Sequence, residues 1–254
     1  MTIWEALILG FVQGITEFFP ISSSGHLLLA QKLLGMGNLG QQILFDLICH
    51  LGTLGAIFYH FSSSIKQLLA SPIKKFIPLI YGTLPLLPLV FLLKPITALF
   101  DQPQYLGLCF LASAVLIFAG SKFKLKQLET AGMARWHDPL LIGVFQAIAV
   151  LPGISRSGAT ISAAQMLGWS RKDAVHFSFL LAIPTILGGT FLQIATSSAA
   201  DYSVLEPLPL VVGFLVSFGI GCASLNWLKH LIDNQKWVYF GWYCLFLGFI
   251  TLII

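Results

Sequence analysis

Two short stretches of this 254-residue chain collect side chains suited to anion chemistry. The first holds Gln13, Glu17, Ser22, Ser23, Ser24 and His26; the second holds Ser155, Arg156, Ser157 and Thr160. A carboxylate can act as a base or hold a divalent ion. An imidazole can attack or donate a proton, and a guanidinium fork matches phosphate or carboxylate. Clustered hydroxyls add donors, while Gly25 and Gly158 allow the backbone to approach a ligand closely. Together these groups suit the handling of a phosphorylated substrate.

The two stretches are copies. Shifting 10–35 by 133 positions lays it on 143–168 without a gap, and 10 of the 26 residues coincide. Each copy reads as an apolar helix, a break rich in Pro, Ser and Gly, and a second short helix. The differences carry the chemistry: Glu17 faces Val150, His26 faces Ala159, and Ser23 faces Arg156. One copy supplies a carboxylate and an imidazole, the other a guanidinium. A fragment after each copy, 45–53 and 177–185, is also echoed.

Composition dictates where these breaks sit. The chain is 57% hydrophobic and 9% charged with a mean hydropathy of +0.87, against roughly 25% charged residues in soluble domains. It reads as an integral membrane protein. No basic region precedes the first apolar run and Glu5 lies inside it, so a signal peptide is not expected. Cys49, Cys109, Cys222 and Cys244 stand singly in apolar stretches and suit packing rather than zinc or a disulfide framework. The absence of a basic helix face argues against nucleic acid.

A spanning helix needs about 20 mostly apolar residues. The pieces 4–19 and 26–34 are each too short, and so are 139–151 and 157–168; both pairs read as re-entrant. Irregular backbone at that depth requires surrounding protein or a water-filled cavity. Full spans are expected at 43–61, 76–93, 105–121, 174–195, 210–228 and 237–254. Pro78, Pro85 and Pro88 should kink the second, and Ser170 to Asp173 should cap the fourth. The intervening stretches 62–75, 94–104, 122–138, 196–209 and 229–236 read as loops or turns. The fold class is therefore an all-α polytopic membrane protein: six transmembrane helices plus two re-entrant helix pairs. It forms one membrane domain over 1–254, with repeat halves of approximately 1–122 and 139–254. Three crossings separate the motifs, so the second enters from the opposite face as an inverted-topology repeat. Eleven of the fourteen cations fall on the loops 62–75, 122–138, 169–173 and 229–236, against Lys32 and Lys94 on the other side. The positive-inside rule then puts those loops in the cytoplasm, with both termini and the cavity facing outside.

Two serine-rich breaks entering from opposite faces should meet near the midplane. Each is followed by a helix start, which carries free N–H groups and partial positive charge. Gln13, Ser22, Ser24, Ser155, Arg156, Ser157 and Thr160 are the expected substrate-binding residues, and the plainer reading of the serines is helix capping. A guanidinium at membrane depth costs at least roughly 2.5–3.5 kcal/mol. Arg156 therefore needs a partner, either a ligand or Glu17 in a structural salt bridge. Gln13 lies at i−4 from Glu17 and faces the same way. The pair can hold a divalent ion, orient a water, or simply plug a polar gap between helices. His26 is a nucleophile, a general acid or an interhelical hydrogen-bonding residue. His50, His60, His137, His176 and His230 lack such company, and Asp46 and Asp173 suit helix ends. The catalytic set is Glu17, Ser23, His26 and Arg156, with Glu17 the candidate metal ligand. Phosphoryl transfer on a substrate with a lipid tail fits best. The alternative is a membrane transporter or flippase for a lipid phosphate or other anion, since broken helices at the midplane also build transporters.

Gln13-x-x-x-Glu17, Ser22-Ser-Ser-Gly-His26 and Pro152-Gly-Ile-Ser-Arg-Ser-Gly-Ala-Thr160 resemble the motifs of the bacterial undecaprenyl-diphosphate phosphatases of the bacitracin-resistance type, and length and hydropathy agree over the whole chain. The resemblance implies removal of one phosphate from undecaprenyl diphosphate in the bacterial inner membrane, which recycles the carrier for peptidoglycan synthesis. It also implies a divalent cation, Mg²⁺ or Ca²⁺. That family allows Glu or Gln at the position of Gln13; Gln here leaves a single carboxylate, so the ion contact can run through substrate phosphates instead. The expected partners are an isoprenoid diphosphate lipid and the membrane, with no nucleic acid and a homodimer left open.

Overall fold

The computed structural model describes residues 1–36, 39–92, 96, 104–122, 135–196, 206–233 and 236–253, and every regular element among them is helical. The chain runs through α1 (Ile3–Thr16), α2 (Ser23–Leu33), α3 (Leu39–His60), α4 (Ser62–Leu69) and α5 (Ile77–Thr83). It continues through α6 (Gln104–Lys122), α7 (Asp138–Ile148), α8 (Arg156–Met166), α9 (Arg171–Thr196), α10 (Pro207–Asp233) and α11 (Val238–Ile253). Most of the loops expected at 94–104, 122–138 and 196–209 lie outside the described residues.

Four described segments are long and apolar enough to cross a bilayer: Ile73–Leu92, Tyr105–Lys122, Arg171–Thr196 and Pro207–Leu231. They match four of the six expected spans. The expected span 43–61 is the first arm of a pair, Leu44–His60 and Ser62–Leu69, bent by 77°. The expected span 237–254 is the 16-residue helix α11, which at about 1.5 Å per residue falls short of a 30 Å hydrocarbon core.

Two expectations need correction. Much of the stretch 62–75 is helical rather than a loop. Ile65, Leu68 and Leu69 form an i, i+3, i+4 stripe on α4, the spacing of an amphipathic helix, and line an apolar cavity with Ile73 and Phe76. The span beginning at 76 is also tighter than a kinked α-helix. Pro78 fits the first turn of α5, and the nine residues Leu84–Leu92 are wound as a 3₁₀ helix around Pro88.

Small residues set the helix contacts, as expected where lipid supplies no hydrophobic drive. A Cβ on Gly10 would meet the Gly213 carbonyl at 3.0 Å, bringing α1 against α10. Gly107 and Gly248 face each other between α6 and α11, with the carbonyl of each 2.8–3.0 Å from the other's notional Cβ. Gly143 of α7 meets the Gly82 carbonyl of α5 at 2.5 Å in the same sense. Phe18, Phe179, Ile161 and Leu181, all buried, form the apolar core around the break regions.

Candidate active site

The duplicated stretches fold alike. The return helices α2 and α8 cover Ser23–Leu33 and Arg156–Met166, the same positions after a shift of 133. Ser22 Oγ accepts from the Gly25 N–H and Ser155 Oγ from the Gly158 N–H. Each therefore caps its helix, as the plainer reading of the serines requires. Both helices end in a Schellman motif around a left-handed glycine, Gly35 (φ 69°) or Gly168 (φ 96°). In each, the N–H groups of the glycine and of the next residue bond back to carbonyls of the last turn. The caps differ in one respect. Ser155 is extended, whereas Ser22 has φ 69° and ψ 99°, a sparsely populated conformation for a residue with a side chain.

The two breaks touch. Ser157 Oγ donates to the Phe19 carbonyl at 3.1 Å, and a Cβ on Gly25 would come within 3.1 Å of the Gly153 Cα. Ser113 of α6 braces the second break by donating to the Gly153 carbonyl at 3.1 Å and accepting from the Ser155 N–H at 2.9 Å.

This contact delivers Arg156 to Glu17. Arg156 Nη2 donates to Glu17 Oε1 at 2.6 Å, with side-chain exposures of 14% and 5%. The second carboxylate oxygen, Oε2, accepts from Ser23 Oγ at 2.7 Å and from Gln13 Nε2 at 3.0 Å. One buried carboxylate thus meets a hydroxyl, an amide and a guanidinium. Arg156 Nη1 lies 3.5 Å from the Ser178 carbonyl, and Ser178 Oγ is 2.7 Å from Thr160 Oγ1. Ser22 and Ser24 lie 3.4 Å apart through their hydroxyls, and Ser155 and Ser157 lie 3.2 Å apart, so all four stand at the two helix starts.

His26 is held differently. Its Nδ1 is 2.7 Å from the Ser22 carbonyl, which only accepts, so Nδ1 carries the proton. Nε2 lies 2.7 Å from the Tyr243 hydroxyl, and the ring stacks on Tyr243 and meets Phe110 edge-on. Among the described residues no hydrogen bond joins His26 to Glu17 or Arg156.

The glutamines diverge in the same way as the breaks. Gln146 donates to the Gly82 carbonyl and accepts from Thr185 Oγ1, whereas Gln13, fully buried, leaves Oε1 without a partner. That orphan and Glu17 Oε1, which accepts one hydrogen bond, are the oxygens available to a cation. Among the described residues no three His, Cys, Asp or Glu side chains are placed to hold a metal. Two oxygens do not make a protein cage, but they suit an ion that takes its other ligands from phosphate and water.

Several participants escape sequence reasoning. His50, which the sequence sets apart from the site, has its Nε2 3.6 Å from Glu17 Oε2 while Nδ1 donates to the Asp46 carbonyl at 2.7 Å. Its neighbour Asp46 is no helix end: it lies inside α3, and Gln31 Nε2 donates to its carboxylate at 3.0 and 3.1 Å. The signal was the echo of 45–53 in 177–185, which pairs Asp46 with Ser178, another residue at the site. Ser113 and Tyr243 carry no such mark. Asp173 meets its expectation: its N–H donates to Ser170 Oγ at 3.1 Å, capping α9.

The helices define a polytopic membrane protein, with a buried, donor-rich centre where two broken helices meet. The family model described as bacitracin resistance protein BacA matches residues 6–250, and the chain belongs to that family. A relative named undecaprenyl-diphosphatase from Protochlamydia amoebophila is 58% identical over 254 residues, covering 99% of this chain and 98% of the relative. Proteins of the same name from Methanosphaera stadtmanae and Carboxydothermus hydrogenoformans are each 35% identical, over 100% of this chain and 98% of theirs.

Proposed function

We propose that the chain is an undecaprenyl-diphosphatase that hydrolyses undecaprenyl diphosphate to undecaprenyl phosphate and inorganic phosphate. This recycles the lipid carrier of peptidoglycan synthesis and underlies bacitracin resistance. The observation that carries the reading is the Ser23–Glu17–Arg156 array: a hydroxyl 2.7 Å from a carboxylate that is itself clamped by a guanidinium at 2.6 Å. Nucleophile, base and charge stabiliser are then adjacent.

In this reading Ser23 Oγ bonds to the terminal phosphorus as the bond from phosphorus to the bridging oxygen breaks. Undecaprenyl phosphate departs with that oxygen, and the Ser23 proton passes to Glu17 Oε2. Water then adds to the phosphoserine, Glu17 returns its proton to Ser23 Oγ, and dihydrogen phosphate is released. Arg156 keeps donors beyond the one on Glu17 and turns them to the phosphoryl oxygens, as do the N–H groups at the starts of α2 and α8. Ser22, Ser24, Ser155, Ser157 and Thr160 line or support those starts. His26 is a positioning residue: its Nδ1–H holds the carbonyl of the strained Ser22, which aims the next residue, Ser23. Glu17 and Gln13 are the residues that would hold a divalent cation, Mg²⁺ or Ca²⁺, which would supply neutralisation of phosphate charge.

We place six spans and two re-entrant pairs in the bacterial inner membrane as an inverted repeat, with both termini and the cavity facing out. The eleven-to-two split of cations supports this orientation. A cysteine introduced at position 130 should resist a membrane-impermeant reagent applied to intact cells; labelling from outside reverses the orientation. The function is tested by giving purified protein an isoprenoid diphosphate and measuring inorganic phosphate. Release supports the hydrolase, and binding without release leaves the transporter.

A further inference from the structure

A second cluster of basic side chains lies away from the centre just described. The bent junction of α3 and α4, the start of α9 and the last turns of α10 enclose a cavity of about 330 Å³. Its rim carries His60, Lys172, His176 and Lys229. Asp173 is the single carboxylate among the lining residues, and it accepts the Ser170 hydroxyl at 2.6 Å while its N–H takes the cap of α9. His176 Nε2 is oriented by Ser64 Oγ at 3.0 Å. The floor is apolar, formed by Phe61, Phe179, Leu225 and Leu228. Phe61 packs against His60, His176 and Phe179 at centroid distances of 5.0–5.9 Å. Phe179, almost fully buried, also packs edge-on against Phe18, the neighbour of Glu17, and so stands between the two regions.

The cavity therefore joins two lysine ammonium groups and two histidine rings to a wall of hydrocarbon. All four lie near helix ends, where the chain leaves its apolar stretches: His60 closes α3, Lys172 opens α9, and Lys229 is in the last turns of α10. A free inorganic anion would use the rim and gain nothing from the floor. A lipid would use both, placing its phosphate among the lysines and histidines and its first methylenes over Phe61 and Leu228. Basic pockets between membrane helices favour anionic headgroups for this reason.

We propose that this cavity is a binding site for the phosphate headgroup of an anionic membrane lipid, separate from the reaction centre. The test uses full-length protein in phosphatidylcholine nanodiscs with and without phosphatidylglycerol. Retained lipid is read by native mass spectrometry after detergent extraction. Wild type should retain phosphatidylglycerol, and Lys172→Gln/Lys229→Gln should bind it roughly thirtyfold more weakly. Arg156→Lys should leave retention unchanged, because the lipid is not held at the centre. His176→Gln is the second variant should the double substitution fail to fold, and it too should lower retention. Three results overturn the proposal: retention unchanged in the cavity variants, retention lost in Arg156→Lys, or displacement of the lipid by an equal concentration of inorganic phosphate. The last would make this a site for the free anion.

Discussion

Arg156 Nη2 stands 2.6 Å from Glu17 Oε1, a pair closed across 139 positions of sequence. Neither duplicated stretch contains both charges. The pair exists because the two breaks touch, and each buried charge depends on the other for its solvation.

Replacing the guanidinium tests what the fork contributes. Arg156→Lys keeps the charge opposite Glu17 but loses bidentate contact with phosphate. Turnover should fall at least about tenfold, or roughly 1.4 kcal/mol of transition-state stabilisation, with the thermal midpoint near that of wild type. Full turnover in a folded Lys variant would leave the pair a structural bridge and nothing more.

Attack by Ser23 leaves a covalent trace. Substrate quenched in acid should yield a phosphoenzyme in wild type, because a serine ester survives acid and phosphohistidine does not. Ser23→Ala should yield none. His26→Asn retains an N–H able to reach the Ser22 carbonyl, so it should keep more activity than His26→Ala. Equal inactivity of the two, with an acid-labile adduct in wild type, would return His26 to the role of nucleophile.

Gln13→Glu puts a second carboxylate beside the first. If a cation lies between Gln13 Oε1, Glu17 and the substrate, the Mg²⁺ or Ca²⁺ concentration giving half-maximal rate should drop. Without a cation there, two carboxylates in a low-dielectric site repel and one takes up a proton. Activity would then decline above neutral pH whatever metal is added, and the cation would have to be moved elsewhere.

Two glycines should respond oppositely to a methyl group. A Cβ on Gly25 meets Phe110 at 2.7 Å and Gly153 at 3.1 Å. Gly25→Ala should therefore cost about 1–3 kcal/mol and lower activity by parting the breaks. Gly188, inside α9, has nothing within 4 Å of the same position. Gly188→Ala should be neutral or raise stability by up to about 1 kcal/mol, by favouring the helix. Thermal unfolding of both in detergent checks the contrast.

The breaks were legible because their signals are local. Proline, serine caps and the terminal glycines are read within a few residues, and the duplication gave each prediction a second witness. The Arg156–Glu17 pair was legible by charge: two ions in an apolar chain leave few partners. His50 was not, because an isolated histidine in an apolar helix looks the same whether it faces lipid, another helix or a carboxylate. Tyr243 and Ser113 fail for the same reason, being fixed by helix packing that no local pattern records. The fold of α4 was readable from the stripe of Ile65, Leu68 and Leu69 and was obscured by Ser62, Ser63, Ser64 and Lys66 on the remaining positions.

The hydrogen bond from Ser157 to the Phe19 carbonyl has a mechanical consequence. Machines that carry cargo across a bilayer by rocking need a seam at which one half swings past the other. Here that seam is stitched: any swing of α8 against α1 breaks this bond, separates Gly25 from Gly153 and pulls the guanidinium off its carboxylate. The centre is built as an anvil rather than a hinge.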